Sequence, residues 1–277
     1  MDLFELLKAA IYGLVEGITE WLPISSTGHM LLLNRIMSLN VSPEFWNMFL
    51  VVIQLGAILA VVVLYFHELN PFAPSKTADE KRDTWTLWAK IVVACIPAAV
   101  VGIPLDDWME EHLSSPLVIA AALIFYGIVF IVLESRRAPA RAHGDEKVSH
   151  ISWKQAIGIG CFQILSLVPG TSRSGSTIIG GLVLGCPRPV AAEFTFFLAI
   201  PVMLGASALR LAKYFLGGGT FVAGEFALLG VGCLVAFLVS MAAIRFLVGF
   251  VRKHDFKPFG WYRIVLGIIV IIATLAG

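Results

Sequence analysis

The chain has 277 residues, of which 58% are hydrophobic and only 14% charged, and its mean hydropathy is +0.86. Soluble domains carry about 25% charged residues, so this composition excludes an ordinary soluble domain and predicts an integral membrane protein. The net charge of +1 gives no bulk electrostatic case for nucleic acid.

The first apolar stretch, residues 3–22, begins with Asp2 and Glu5. It does not read as a cleaved signal peptide, which has a basic start. It runs into a dense polar segment, Glu16-Gly17-Ile18-Thr19-Glu20-Trp21-Leu22-Pro23-Ile24-Ser25-Ser26-Thr27-Gly28-His29. Glu16 and Glu20 are four apart and share a helix face. Pro23 disfavours helix at the residue before it. The hydroxyls of Ser25, Ser26 and Thr27 then fall where the cap of a following helix belongs, with His29 in its first turn. That second apolar piece, residues 28–39, is short against the roughly 20 residues needed to span a bilayer. A re-entrant hairpin is expected.

Residues 45–66 span, with Gln54 inside. Residues 67–85 are a polar loop, 86–104 span, 105–115 form an acidic segment without Lys or Arg, and 116–133 span. A polar loop over 134–152 carries Arg136, Arg137, Arg141 and Lys147. Residues 153–168 and 175–185 then repeat the broken-helix pattern around Pro169-Gly170-Thr171-Ser172-Arg173-Ser174-Gly175-Ser176-Thr177. Spans over 190–214, 226–249 and 259–276 complete the chain. The four cysteines are far apart, without metal-type spacing, and read as packing residues.

The predicted fold is therefore an all-α membrane protein with about six transmembrane helices and two re-entrant helical hairpins. The positive-inside rule puts 67–85, 134–152 and 250–258 in the cytoplasm and leaves 105–115 and 215–225 outside. Ala10-Ile11 matches Ala156-Ile157, Pro23 matches Pro169 and Ser26 matches Ser172, each pair 146 apart. The first hairpin enters from outside and the second from inside, which makes an inverted-topology repeat. Residues 1–277 are a single membrane domain, with halves of about 1–135 and 150–277 joined by the loop 134–152. Such folds place their sites where discontinuous helices meet near the midplane.

Ionisable residues within membrane segments are costly and functional by default, which selects Glu16, Glu20, His29 and Arg173. Arginine offers a planar bidentate fork suited to phosphate, and a helix start adds N–H groups and a dipole. Two such helix starts facing each other suit a diphosphate. Ser26 or His29 is the candidate nucleophile, and His29, three residues from Ser26, is the candidate base. A carboxylate can orient that imidazole or bind Mg²⁺ together with a phosphate oxygen. Gln54 and Gln163 either line the cavity or pair helices. Glu193 either lines the site or sits at a helix start, where negative charge is favoured.

EGITEWLPISSTGH resembles the Glu-xxx-Glu plus Pro-x-Ser-Ser-Thr-Gly-His signature of the bacterial undecaprenyl-diphosphate phosphatase family of the bacitracin-resistance type. PGTSRSGST resembles its Pro-Gly-x-Ser-Arg-Ser-Gly signature. The stretches Val52–Ala60, Gly160–Gln163 and Ala192–Pro201 also look familial, with Thr195 where a serine is common. The resemblance covers essentially the full chain. It implies a plasma-membrane enzyme with its site open to the outer face, acting on a polyprenyl diphosphate among membrane lipids to recycle the carrier for cell-wall synthesis. It also implies a divalent cation, Mg²⁺ or Ca²⁺, and a homodimer. Catalytic roles pass by motif position to Glu16, Glu20, Ser26, His29 and Arg173, and phosphate contacts to Thr27, Ser172 and Ser174. With Ser25, Gly170, Thr171 and Gln54 these complete the expected substrate-binding set. Glu16 and Glu20 are the candidate metal ligands.

The competing class is a lipid or solute transporter, because broken helices in inverted repeats are transporter architecture. A transporter needs no nucleophile and base. Acid-phosphatase-like lipid phosphatases demand a histidine soon after Ser-Arg; here Ser172-Arg173 is followed by Ser-Gly-Ser-Thr-Ile-Ile, and that reading is rejected.

Overall fold

The computed structural model describes residues 2–137 and 147–276, apart from the side chains of Asp106, Glu110 and Ala223. Among these residues there are helices and no strand. In order they are α1 (Leu3–Thr19), α2 (Ser26–Ile36), α3 (Pro43–Leu64), α4 (Phe66–Leu69), α5 (Ala78–Leu113), α6 (Pro116–Arg136), α7 (Trp153–Gln163), α8 (Arg173–Val183), α9 (Arg188–Leu216), α10 (Ala223–Val251) and α11 (Lys257–Ala276). Six are long and apolar enough to cross a membrane: α3, the Ala78–Leu105 part of α5, α6, α9, α10 and α11. The chain is an all-α, multi-pass membrane protein.

Capping chemistry moves several boundaries away from hydropathy. α5 starts well before residue 86 because Thr77 and Glu80 form a reciprocal capping box, and it runs to Leu113 through Pro97 and Pro104. The acidic segment 105–115 is therefore mostly helix rather than loop. α6 continues to Arg136, which shortens the expected loop 134–152. Within that loop, 138–146, including Arg141 and His143, lie outside the described residues. Glu134, at its expected start, is buried and accepts from Arg188 Nε at 2.9 Å and Nη2 at 2.5 Å, tying α6 to α9.

Besides the four-residue α4, four helices fall short of a span. α2, α7 and α8 have 11 residues each, about 16 Å at 1.5 Å per residue, roughly half of a hydrocarbon core. α1 has 17 residues and ends before Pro23. The pairs α1/α2 and α7/α8 are the two expected broken hairpins. Three spans separate them, so two hairpins that each return to their own side approach from opposite faces.

The packing has the same symmetry. α1 packs on α10, and α7 packs on α5; α3 packs on α10, and α9 on α5; α2 touches α11, and α8 touches α6. Exchanging the halves maps each of these three contacts onto its partner, and α3–α9 and α6–α11 join the halves. Each hairpin therefore docks against the second span of the other half, and the halves interlock. Close approach fixes these docks. A Cβ on Gly13 of α1 would strike the Gly232 carbonyl of α10, and a Cβ on Gly160 of α7 would strike the Ala94 carbonyl of α5.

The breaks match in backbone detail. Ser25 (φ 72°) and Ser172 (φ 73°) are the two non-glycine residues with positive φ among those described. They lead α2 and α8. This sets the structural register at 147 residues, the same spacing as Gly13 and Gly160, not at the 146 that the motif spacing gives. The second break uses one residue more between its proline and its cap. Arg173, not Ser172, is thus the counterpart of Ser26.

Candidate functional site

A cavity of about 530 Å³ opens beside the first break. Glu16 of α1, Ser26 and Thr27 of α2, Gln54 of α3 and Arg210 of α9 contribute its polar lining. Glu16 is 1% exposed, and its Oε1 is buried without a hydrogen-bond partner.

Behind Ser26 a chain of polar contacts crosses between the halves. Ser26 Oγ donates to Glu20 Oε2 at 2.9 Å, and Arg173 Nη2 donates to Glu20 Oε1 at 3.0 Å. Arg173 Nη1 donates to the Thr195 carbonyl at 2.8 Å, and its guanidinium lies 5.8 Å from the Trp21 ring centroid. Arg173 Nε is buried and unpaired. Glu20 and Arg173 stand one layer back from the cavity wall, and Glu20 holds the serine hydroxyl and the cation at once. A hydroxyl whose proton already points at a carboxylate, beside a charge that suits phosphate, is the arrangement of an activated nucleophile.

The expected partnership of Ser26 with His29 is not formed. His29 Nδ1 lies 2.8 Å from the Ser25 carbonyl and Nε2 lies 2.7 Å from Tyr262 Oη. A carbonyl only accepts, so Nδ1 carries the proton and Nε2 accepts from the tyrosine. The ring also stacks on Tyr262 and lines a second, apolar cavity of about 470 Å³ with Ile18, Leu22, Phe246 and Phe259. Spacing of three places the two side chains on one side of a helix, but the leading turn offers each a stronger partner: Glu20 for the serine and the Ser25 carbonyl for the imidazole.

The remaining expected residues divide. Thr27 and Gln54 line the first cavity. Ser25 leads α2 without a side-chain cap, its Oγ buried and unpaired. At the second break Ser172 Oγ accepts from Gly175 N–H at 3.2 Å and pairs with Ser174 Oγ at 3.1 Å. Ser174 Oγ in turn donates to the Leu22 carbonyl at 3.3 Å, joining the breaks. Thr171 is buried with its side chain toward Tyr126, and Gly170 takes φ +91°, open to glycine at little cost. Gln163 is buried with neither amide atom partnered, and Glu193 is not part of the cavity lining.

Two arginines were missed. Arg210, near the end of the predicted span 190–214, lines the cavity. Arg263, in α11, is 0% exposed. Its Nη1 donates to the Pro23 carbonyl at 3.1 Å, and its Nη2 donates to Gly170 and Thr171 carbonyls at 2.9 and 2.8 Å. A lone guanidinium inside each apolar run was the available signal.

The chain is similar to known proteins over nearly its whole length. The profile of the bacitracin resistance protein BacA family matches residues 9–269. A protein of Limosilactobacillus fermentum named undecaprenyl-diphosphatase is 55% identical over 269 residues, 97% of each chain. Proteins of the same name from Lactobacillus delbrueckii subsp. bulgaricus (54% identical, 99% of each chain) and Streptococcus thermophilus (56% identical, 97% of this chain and 93% of the relative) are equally similar. With a match across nearly its whole length and both broken-helix motifs inside it, this chain belongs to the bacitracin resistance protein BacA family.

Proposed function

We propose that the protein hydrolyses undecaprenyl diphosphate to undecaprenyl monophosphate and phosphate. The observation that carries the reading is the Ser26–Glu20–Arg173 chain across the two breaks. Arg173 is paired to Glu20. An incoming phosphate competes for the same guanidinium, leaving Glu20 to take the Ser26 proton. Ser26 Oγ then attacks the terminal phosphorus. The bond to the bridging oxygen breaks, the lipid monophosphate leaves with its electron pair, and water hydrolyses the phosphoserine. The relatives' printed name supports the substrate.

The donor set fits a divalent cation in part. Glu16 Oε1 is a buried, unpartnered oxygen beside the cavity. Among the described residues no three His, Cys, Asp or Glu side chains cluster as a metal-binding group. Glu16 and Glu20 would supply the protein ligands, with substrate oxygens and water for the rest, as suits Mg²⁺. When bound, the ion would neutralise phosphate charge.

Met109 and Ser114, at the end of α5 opposite the basic loops, also line the cavity. By the positive-inside rule that end faces outward, which supports a plasma-membrane enzyme with an outer-face site. The homodimer belongs to the same reading on the resemblance alone; light scattering in detergent tests it.

The deciding experiment is phosphate release from C55 diphosphate by the purified protein, with Mg²⁺ and with chelator, for wild type and Ser26→Ala. Release that falls with both changes is expected. The interlocked inverted repeat also suits a transporter, and a folded wild type that releases no phosphate would promote that reading.

A further inference from the structure

The geometry points to Arg263 as a positioning residue that aims the Ser172 amide N–H as a hydrogen-bond donor to the phosphate in transfer. This inference rests on the phosphatase reading above. Its starting point is a cation that touches no carboxylate within hydrogen-bond reach. All its bonds go to backbone carbonyls: Pro23 of the first break, Gly170 and Thr171 of the second, and a long contact of 3.5 Å to Leu123.

A trans peptide is planar, with C=O and the following N–H pointing opposite ways. Fixing a carbonyl therefore fixes the next amide. Pro23 C=O on Arg263 turns Ile24 N–H away, where it donates to Leu22 O at 2.7 Å. Gly170 C=O on Arg263 turns Thr171 N–H away, where it donates to Val168 O at 3.1 Å. Thr171 C=O on Arg263 turns Ser172 N–H away in the same manner, and no protein group among the described residues accepts from it. Of the three amides set by Arg263, one remains to donate.

That amide sits at the positive end of α8, which has 11 residues. One further group at this break lacks a partner, the buried Arg173 Nε. Two donors at one helix start that need an acceptor suit an anion with several oxygens, which a phosphoryl group supplies. Arg263 also adds a buried positive charge behind the break, and its bond to Pro23 holds the Ser26 side in register with it.

A donor aimed at charge that develops during transfer acts on kcat more than on KM. Arg263→Met strips three buried carbonyls and is expected to fold poorly, so the test uses Arg263→Lys, which keeps the charge and some donors but not the fork. Purified wild type and Arg263→Lys are assayed on C55 diphosphate, with kcat normalised to folded enzyme. The expected result is a kcat loss of roughly ten- to a hundredfold, below the roughly hundred- to thousandfold cost of losing one oxyanion donor outright because the amide is mis-set and not removed, with KM within about threefold. Orthovanadate affinity should weaken in parallel with kcat. In wild type, amide exchange at Ser172 should slow on adding orthovanadate. Unchanged kcat per folded enzyme, a rise in KM alone, or Ser172 exchange indifferent to orthovanadate in an active wild type would each overturn the inference. An inactive, folded wild type would instead remove the parent reading, and this inference would go with it.

Discussion

The two helix breaks share a backbone and differ in chemistry. Each has a short helix in, a serine at positive φ, and a short helix out. In the 147-residue register Glu16 corresponds to Gln163, Glu20 to Leu167, and Ser26 to Arg173. The first break carries the acids and the serine proposed as nucleophile, and the second carries the cation. The caps differ as well: Ser172 bonds its own helix start, whereas Ser25 does not. The two helix starts carry the same dipole, and a few residue differences divide them into an acidic side and a cationic side. Neither break can do the work alone, because the acid of one is paired with the base-charged group of the other.

The largest effect should come from removing the cation. Arg173→Ala is expected to lose at least about a thousandfold in kcat, by analogy with arginines that hold a transferring phosphoryl group. Arg173→Lys should retain more, since the fork is lost in both but the charge only in the first. Equal rates would break the idea that the second break acts electrostatically. Next come Ser26→Ala, losing most activity with the fold intact, and Glu20→Gln, losing about a hundredfold. A phosphate-release assay that finds Glu20→Gln near wild type would detach the acid from the serine. Tyr262→Phe removes the partner of His29 Nε2, and less than a tenfold loss is expected. A loss as large as that of Ser26→Ala would bring His29 into the transfer step. Smallest is Gln163→Leu, which removes two buried, unpaired amide atoms at the second break. Thermal unfolding should find it neutral to more stable, by about 1 kcal/mol, and a large loss of activity would give the second break a polar duty that the comparison denies it.

Much of this was legible in the sequence. Hydropathy located the six spans because lipid allows few alternatives, and Pro23 and Pro169 marked both breaks because capping residues follow each of them, whereas α5 and α9 continue through Pro97, Pro104 and Pro201. Boundaries set by side-chain capping, such as Thr77–Glu80, lie below the resolution of hydropathy. The register slip of one residue was hidden because identical residues, Ser26 and Ser172, invited the wrong match. The Ser26–His29 pair was a reasonable reading of helix spacing, but spacing fixes only which side a residue leaves from. The competing partners, Glu20, the Ser25 carbonyl and Tyr262, include one from 233 residues downstream. Arg263 was visible as a charge in an apolar run. Its partners were not, because they are carbonyls, and every residue has one.

The interlocking of the hairpins also imposes an order in time. Gly13 must wait for Gly232 before α1 has the surface it docks on, and a chain made at about 5–20 residues per second delivers that surface roughly ten to forty seconds later. Arg263 emerges later still. During synthesis the first hairpin sits in the bilayer with its acids assembled and its counterpart absent. The carbonyls of Pro23, Gly170 and Thr171 gain their Arg263 partner only when the last helix, α11, is inserted.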